Sequence, residues 1–403
     1  MRGEASRETV VQSALTSRLL LSDSDLKGWD PYDTLTSPLF KLPLFRSSWL
    51  LRFGIQQVVL RAPINLRPLL RTPKQRNAVT VGLYIQGLAD LADAGLLDHS
   101  EAAAEASRWI TNLKETRASG WSGSCWGYPF PWEGRPGAHR TPAGFPTVVA
   151  TGMICNGLHR AWQVFNDRSA QELLLDSAAF VLNDLNRVDE TDDGWCWSYS
   201  PADQQAVVNA TMKGTRLIAQ AIDAGLDDAN PLEAAASSAR WTARQQKENG
   251  GWAYAVGDDP RSWEDHFHTA YILECFSTYR NLSGDRSFDE TVQRGWDHYR
   301  EVFYTDSAIP RYYDTQDAPL DPTAAGQALL ILPDFGEAEY ATEVLAAVMP
   351  KLGNPDGSFR YRPRGARGRA GGVHYIRWST AWMFAGMAHV LNALKAAEPG
   401  PNS

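Results

Sequence analysis

The 403-residue sequence predicts an all-α fold, a six-hairpin (α/α)6 toroid, from three observations. A turn containing glycine and an aromatic residue recurs along the chain, two kinds of helix alternate, and helices of one kind are evenly spaced. A recurrence of this length is typical of stacked supersecondary units. The turns begin at Ser119, Asp193, Asn249 and Asp356, and a weaker copy begins at Ile309.

The two kinds of helix differ in composition and indicate two concentric rings. One kind is rich in Ala, Gly, Thr and Val, and small side chains allow the close approach that an inner ring requires. The other kind is amphipathic and more charged, which is typical of an outer ring with one solvent-exposed face. Inner helices are predicted to begin near residues 76, 146, 204, 266, 322 and 377, and outer helices near 99, 168, 231, 286 and 336.

Six inner and five outer helices leave one outer position unfilled. The apolar stretch 47–60 is predicted to form the helix that closes the circle. We therefore expect a single toroid domain at 46–395, a poorly structured segment at 1–45 and a disordered tail at 396–403. The long aromatic loops from outer to inner helices would line a funnel on one rim, and such concave sites bind ligands. They are 115–145, 187–203, 248–265, 305–321 and 353–376.

Composition excludes several classes of protein. The net charge of −8 argues against a nucleic-acid partner, because such proteins carry a basic face. The four cysteines form no Cys-x-x-Cys pair, so we expect buried free thiols in a reducing compartment and no zinc site. The N-terminus lacks the apolar core of a signal peptide. These features predict a cytoplasmic protein without a cofactor, although calcium held by rim carboxylates stays open.

Several motifs carry a resemblance to a known group of proteins. The chain contains Trp263-Glu-Asp-His-Phe-His-Thr-Ala-Tyr-Ile-Leu-Glu, Gly127-Tyr-Pro-Phe-Pro-Trp, Thr147-Val-Val and Pro63-Ile-Asn-Leu-Arg-Pro. With these motifs it resembles a group of α/α-toroid proteins found with surface-polysaccharide genes, which are similar to six-hairpin glycosidases. The similarity spans most of 45–395. The resemblance implies the toroid and a role in carbohydrate metabolism, but it assigns no catalytic residue.

A weaker resemblance concerns isoprenoid enzymes with the same fold. The Gly-Gly-Trp turn and Phe267-His-Thr-Ala-Tyr are similar to sequences of terpenoid cyclases and protein prenyltransferase β-subunits. Those prenyltransferases use Asp-x-Cys with His to hold zinc, and the protonating cyclases use Asp-x-Asp-Asp. Neither motif occurs in this sequence. This resemblance therefore supports the fold and not the chemistry.

The main catalytic candidates lie at the start of the fourth inner helix. Glu264, Asp265 and His268 are spaced so that each carboxylate neighbours the imidazole on a helix face. A carboxylate–imidazole pair at a funnel mouth can act as a general acid or base. The structural alternatives are a helix cap at Asp265 and a hydrogen-bonded core histidine at His268. The sequence leaves both interpretations open.

Two other rim acids, Asp193 and Asp321, are catalytic candidates for a hydrolase. Glycoside hydrolysis needs two carboxylates across a bound sugar, one protonated and one ionised. Each acid also has a local structural explanation. Asp193 precedes a glycine in a turn, and Asp321 precedes Pro322 as a helix cap.

The rim loops are unusually aromatic, and flat rings with a polar group suit the faces of sugars. The alternative is that each Trp directly after Gly plugs the gap between neighbouring hairpins. Trp126, Trp132 and Trp263 break the repeat and are the stronger candidates for ligand contact. The aromatic substrate-binding candidates are Trp126, Tyr128, Trp132, Trp197, Trp252, Trp263, Tyr271, Tyr312 and Tyr313.

Polar rim residues complete the predicted binding set. They are Glu133, Arg311, His374 and Arg377. An arginine can bind a uronate carboxylate or a phosphate through two hydrogen bonds. With Tyr312, Tyr313 or His268 as the base, this would equip a lyase or a C5-epimerase. The sequence does not decide between this chemistry and hydrolysis.

Two basic segments have alternative interpretations. The arginine-rich residues 360–377 form either a solvated loop or an anion-binding flap. Residues 47–71 combine an apolar helix with arginines, which is compatible with peripheral contact to an anionic membrane. We prefer toroid closure for this helix, because most amphipathic helices face a core.

The sequence therefore predicts a protein that processes a surface or lipid-linked glycan, either as a hydrolase or as a lyase or epimerase on uronate. The expected partner is a glycan or lipid-linked oligosaccharide, and no nucleic acid. Two alternatives from other classes stay open: a non-catalytic glycan-binding or scaffold protein, and an isoprenoid-processing enzyme.

Overall fold

The computed structural model describes residues 6–62, 64–134, 140–227, 229–257, 259–363 and 372–398. Within these ranges it contains fourteen α-helices. They are α1 (Arg7–Asp23), α2 (Pro43–Ser47), α3 (Trp49–Arg61), α4 (Ala78–Asp93), α5 (His99–Thr116), α6 (Val148–Phe165), α7 (Arg168–Asp184), α8 (Val208–Asp223), α9 (Ala229–Arg244), α10 (His266–Ser283), α11 (Asp289–Val302), α12 (Pro322–Asp334), α13 (Ala338–Leu352) and α14 (Trp382–Ala396).

Strand structure is confined to three short antiparallel pairs in the described ranges. They are β1 (Lys27–Gly28) with β2 (Gln75–Arg76), β3 (Arg187–Thr191) with β4 (Gly194–Trp197), and β5 (Arg360–Tyr361) with β6 (Val373–His374). A π-helical segment, Ile376–Ala381, leads into α14. Within the described ranges, no helix has both the length and the apolarity that crossing a bilayer requires.

The helices form two closed rings. Helices α4, α6, α8, α10, α12 and α14 each pack against the next, and α14 packs against α4 to close the inner ring. Outer helices α5, α7, α9, α11 and α13 each pack against the inner helix that precedes them in the chain, and α1 packs against α14. The inner helices are buried over most of their length, so the core lies between and within the rings. The predicted (α/α)6 toroid is confirmed.

The N-terminal region differs from its prediction. Residues 7–23 were expected to be poorly structured, yet they form α1, the sixth outer helix, with Val10, Ala14 and Leu21 fully buried. A buried serine interrupts the apolar stripe and hides the pattern: the Ser17 hydroxyl donates a hydrogen bond to the carbonyl oxygen of Gly357 at 2.9 Å. Residues 1–5 and 399–403 lie outside the described ranges.

Helix α3 exists as predicted, but it does not close the toroid. Only Gln56 and Val59 are buried among its thirteen residues. It packs against α2 and against a 3₁₀ turn at Asp33–Thr36 instead of an inner-ring helix. The closure prediction was wrong because the apolar side chains of α3 resemble those of a core-facing helix, although only Val59 among them is buried and the others stay half-buried or exposed.

The aromatic turns share the pattern Trp-x-Tyr, with Phe in place of Trp in the last of them. Trp126, Trp197, Trp252 and Phe359 are almost fully buried and plug the gaps between hairpins. The same contact recurs at three of them, where the plug's backbone N–H donates to a threonine hydroxyl of an inner-ring segment. These bonds join Trp126 to Thr151 at 3.1 Å, Trp197 to Thr211 at 2.8 Å and Phe359 to Thr380 at 3.3 Å. In each motif a tyrosine follows two residues after the plug.

All four cysteines are buried free thiols, as predicted. Burial raises the pKa of Cys125, Cys155 and Cys196 to about 12. Since the thiolate is the reactive form, these side chains act as small apolar core residues.

Close approach between inner helices depends on glycine and yields a first prediction. A Cβ atom at Gly157 would lie 2.2 Å from the backbone oxygen of Gly82 on α4, so one helix must move to admit it. We expect Gly157→Ala to lower the free energy of unfolding by about 1–3 kcal/mol in urea denaturation.

The matched control is Gly54→Ala in α3, where nothing lies within 4 Å of the added carbon. That control should be neutral or stabilising by up to about 1 kcal/mol, because alanine is the better helix former. Equal effects of the two changes would refute this account of the ring contact.

Candidate active site

Tyrosines from successive rim loops converge at the N-terminal ends of the inner helices. Burial raises the pKa of Tyr128, Tyr199, Tyr254 and Tyr312 above the usual tyrosine range, and raises that of Tyr32 to about 12. These hydroxyls therefore stay protonated at neutral pH and can donate hydrogen bonds.

The tyrosine backbones are held by a repeated contact. At three places the first N–H of an inner helix donates to the carbonyl of the tyrosine in the next rim loop. The bonds run from Val148 to Tyr199 at 3.1 Å, from Val208 to Tyr254 at 3.1 Å and from His266 to Tyr312 at 3.0 Å. Free N–H groups at a helix start need such partners, so the helices themselves place the tyrosines.

Asp265 and His268 form a hydrogen-bonded pair at the start of α10. The Asp265 carboxylate caps the helix by accepting the backbone N–H of His268 at 3.0 Å. Its second oxygen lies 2.6 Å from His268 Nδ1 and accepts Trp263 Nε1 at 3.1 Å. Asp265 is buried, whereas a fifth of the His268 side chain is exposed. Both sequence interpretations of Asp265 hold together: it is the cap and it orients the imidazole.

His268 sits within the aromatic cluster. Its ring lies 4.5 Å from that of Tyr254 and 5.9 Å from that of Tyr271, measured between centroids. Trp263 stacks on Tyr254 at 5.4 Å. With Nδ1 bound to Asp265, Nε2 makes no protein hydrogen bond within the described part of the chain. This nitrogen is the one that a ligand can reach.

Arg377 is fixed by an acid from the N-terminal region. Its guanidinium binds both carboxylate oxygens of Asp30, at 2.5 and 2.9 Å. The cation also lies over the rings of Trp378 at 4.6 Å and Tyr128 at 5.0 Å. Tyr32 contacts Trp378 and Trp132 edge to face, with centroids at 5.7 and 5.0 Å. The N-terminal region thus completes one side of the rim.

A second ion pair joins Arg362 to Asp321. Asp321 caps α12, accepting the N–H of Thr323 at 2.8 Å, and its other oxygen accepts Arg362 Nε at 2.6 Å. Burial lowers the pKa of the Arg362 guanidinium, but the neighbouring Asp321 carboxylate outweighs it and raises that pKa overall. The cation lies 4.3 Å from the Tyr312 ring centre. Arginines 364, 367 and 369 of the same predicted flap lie outside the described residues.

Charged side chains continue below the rim along the inner ring. Lys213 Nζ lies 4.0 Å from the centre of the Tyr271 ring and 3.4 Å from Glu274 Oε2. Glu274 also accepts hydrogen bonds from Arg216 Nη1 at 2.5 Å and from Gln327 Nε2 at 3.1 Å. Burial raises the pKa of Glu274, but the two cations outweigh it and bring that pKa to about 2. The Tyr271 hydroxyl above is buried and has no partner among the described residues.

Two predicted catalytic acids point elsewhere. Glu264 does not pair with His268; it is buried and binds His298 Nε2 at 2.9 Å and Lys247 Nζ at 2.7 Å. Asp193 is exposed and binds Arg244 of outer helix α9 at 2.6 Å. The helical spacing allowed the Glu264 contact, but Glu264 precedes the helix, so its side chain leaves in another direction.

Several predicted binding residues are structural. Trp126, Trp197 and Trp252 are buried plugs and not part of the rim surface, which corrects the expectation that they bind a ligand. Others bind neighbouring protein groups: Glu133 binds Arg52 at 2.5 Å, Arg311 binds Asp317 at 2.7 Å and His374 lies 2.9 Å from the Thr380 hydroxyl. Tyr128, Trp132, Trp263, Tyr271, Tyr312, Tyr313 and Arg377 contact the aromatic and charged cluster.

Sequence reasoning missed Asp30, Tyr32, Lys213 and Glu274. Asp30 and Tyr32 lie in the region expected to be unstructured, so no signal connected them to the rim. Lys213 and Glu274 could have been found from the sequence. Both are charged residues inside inner helices rich in small residues, and a buried charge must find a buried partner. No cluster of three or more His, Cys, Asp or Glu side chains suited to a metal ion occurs among the residues that the structure describes.

Comparison with known proteins supports the fold. No protein-family model matches the chain, and no curated protein matches it. Solved structures do match. Cellobiose 2-epimerase from Bacillus thermoamylovorans has a TM-score of 0.60 at 10% identity, covering 79% of this chain and 87% of its own.

Two other solved structures are comparably similar. An unsaturated glucuronyl hydrolase specific for heparin has a TM-score of 0.61 at 12% identity and covers 96% of both chains. The GH76 α-mannanase from Bacteroides thetaiotaomicron has a TM-score of 0.59 at 12% identity, covering 90% of this chain and 98% of its own. At such identities the likeness establishes a shared (α/α)6 toroid, the fold of these six-hairpin glycosidase-like enzymes.

Proposed function

We propose that this protein is a carbohydrate-active enzyme that moves a proton to or from a sugar carbon, as an epimerase or a lyase does. The observation that carries the proposal is the pair of Asp265 and His268, with Nδ1 2.6 Å from the carboxylate and Nε2 left for the substrate. The carboxylate orients the ring and stabilises the imidazolium that forms when Nε2 takes a proton.

The alternative bases are weaker candidates. Burial raises the pKa of Tyr312 and Tyr313, so their hydroxyls are poor proton acceptors near neutral pH. They are better suited to donate hydrogen bonds to a sugar oxygen on which charge develops. Among the groups that sequence reasoning offered as the base, this leaves His268.

The state of the rim carboxylates disfavours hydrolysis. A glycosidase needs a protonated carboxylic acid to assist the leaving group. Asp30 binds Arg377, Asp321 binds Arg362, and Asp265 binds His268. In the described part of the rim, each of these three carboxylates is bound to a nitrogen donor of the protein and is not free to contact a glycosidic oxygen.

Charged side chains on the rim favour a sugar over an isoprenoid. Two ion pairs lie among the rim aromatics, Asp30 with Arg377 and Asp321 with Arg362. Sugar hydroxyls can form hydrogen bonds with such groups, whereas a hydrocarbon chain would cover charged groups without replacing their contacts with water. The gene association of the resembling group is the reason to propose a surface glycan, free or lipid-linked, as the substrate.

Solvent isotope exchange tests this proposal. The purified protein is incubated in D2O with a panel of soluble mono- and oligosaccharides that includes uronates, and products are followed by NMR and mass spectrometry. We expect deuterium at one sugar carbon, accompanied by an inverted centre for an epimerase or by an unsaturated product for a lyase.

A matched variant controls for the general effect of replacing a rim-loop carboxylate. Asp193→Asn removes a carboxylate of the same loop class that binds only outer helix α9, so it should exchange at the wild-type rate. New reducing ends without deuterium at carbon would refute the proposal in favour of a hydrolase. Binding of a sugar with no product or exchange would instead identify a non-catalytic glycan-binding protein.

A further inference from the structure

Exposed apolar side chains concentrate in one segment of the molecule, residues 41–74, which we name the basic apolar segment. Leu42, Leu44, Leu50, Val58, Ile64 and Leu69 are 52% to 81% exposed. They make up six of the nine large hydrophobic side chains that are exposed in the described ranges. Exposed apolar groups concentrated in one part of the chain are typical of an interaction site, whereas single exposed ones need no explanation.

The same segment is strongly basic. From residue 34 to residue 89 the sequence has eight lysines and arginines and neither aspartate nor glutamate, in a chain whose net charge is −8. Lys41, Arg46 and Arg71 are exposed, and none of the three forms an ion pair within the described residues. The positive charge of these side chains is therefore presented to the solvent.

The segment is anchored to the rim, although its outer side is uncovered. Gln56 of α3 donates to the carbonyl of Glu133 at 3.0 Å and accepts its N–H at 3.2 Å. Buried Arg67 binds Asp33 at 2.5 Å and the backbone oxygen of Asp30 at 2.8 Å. The exposed leucines thus belong to a segment that hydrogen bonds hold in place next to the rim, where Asp30 binds Arg377.

We propose that the basic apolar segment docks on an anionic lipid bilayer. Apolar side chains enter the boundary between headgroups and acyl chains, while the basic side chains contact lipid phosphates. The same segment of a second copy of this chain is a poorer occupant, because like positive charges would then face each other. Docking does not require the proposed enzymatic function. One consequence rests on that function: the rim would stand near the membrane surface, where a lipid-linked glycan could reach it.

Vesicle co-sedimentation tests the docking. The full-length protein is mixed, without sugar, with unilamellar vesicles of phosphatidylcholine alone or with phosphatidylglycerol. We expect binding to the anionic vesicles only, weakening as salt is added because exposed charges are screened. Lys41→Gln/Arg46→Gln/Arg71→Gln should lower the partition coefficient about 100-fold, at about 5-fold for each charge. Leu44→Ser/Leu50→Ser/Leu69→Ser should abolish detectable sedimentation.

A charge-matched variant completes the design. Arg108→Gln/Arg187→Gln/Arg286→Gln removes three exposed charges outside the segment and should bind as the wild type does. Absence of binding to anionic vesicles, or equal loss in this control, would overturn the proposal. So would self-association, measured by light scattering, that disappears in the leucine variant. Isotope exchange on soluble sugars without vesicles is scored separately, so failure of one proposal is distinguishable from failure of the other.

Discussion

His268→Ala should lower the rate of isotope exchange at the sugar carbon by about 10²- to 10⁴-fold, the range that a general base contributes. The loss should fall on kcat, because the imidazole acts when the proton moves. Asp193→Asn, measured in parallel, should retain the wild-type rate. The measurement is the initial rate of deuterium incorporation under saturating substrate.

The stability of the same variant separates a catalytic role from a structural one. Without the imidazole, Asp265 still accepts Trp263 Nε1 and still caps α10. If these two bonds satisfy the carboxylate, the melting temperature should stay within a few degrees of the wild type. If the carboxylate depends on the imidazole, the variant should lose about 1–3 kcal/mol of stability, the cost of a buried acceptor without its partner. Reduced stability with normal exchange per folded molecule would remove His268 from the mechanism.

Glu274→Ala should destabilise the fold more than Gly157→Ala does. Glu274 lies between Arg216 and Lys213, and all three side chains are buried. Removing the carboxylate leaves two uncompensated cations in the inner ring, at a cost of about 3–5 kcal/mol. Urea denaturation measures this cost. Glu274→Gln keeps the hydrogen-bonding shape, so it should fold better than the alanine variant. Wild-type stability in Glu274→Ala would contradict the account.

The same residue predicts how stability depends on pH. Burial raises the pKa of Glu274, but Arg216 and Lys213 lower it to about 2, below the value of about 4.5 in the unfolded chain. A carboxylate whose pKa is lowered by folding stabilises the folded protein at pH values above its pKa in the unfolded chain. This stabilisation is lost as the pH falls towards its pKa in the folded protein. The difference in unfolding free energy between wild type and Glu274→Gln should thus shrink by about 3 kcal/mol between pH 5 and pH 2. A constant difference would rule this linkage out.

The fold was predictable because its signals are local and repeated. Small-residue and amphipathic helices alternate visibly, and the turns recur at similar intervals. The pair of Asp265 and His268 was predictable for the same reason, since three positions on one helix fix their neighbourhood. The pair of Arg377 and Asp30 was not, because 347 positions separate the two residues and only the closed ring brings them together.

The errors at Trp126 and α3 have physical causes. A tryptophan that plugs a core and one that binds a sugar have the same composition signal. Only the register of the repeat, with its threonine contact and following tyrosine, distinguishes Trp126 as a plug. Helix α3 was assigned to the core because apolar residues usually are buried, yet Val59 is the one apolar side chain that this helix buries.

The hydrogen bonds between helix starts and rim tyrosines hold the loops by their backbone and not by their side chains. Val148, Val208 and His266 hold the next loop through its carbonyl oxygen, which every amino acid possesses. The side chain of the loop residue whose carbonyl accepts the bond can therefore change without releasing the loop. A substitution at Tyr199, Tyr254 or Tyr312 would therefore change the side chain at the funnel while the loop backbone stays in place. In this toroid the position of a rim loop and the identity of its side chain are independent of each other.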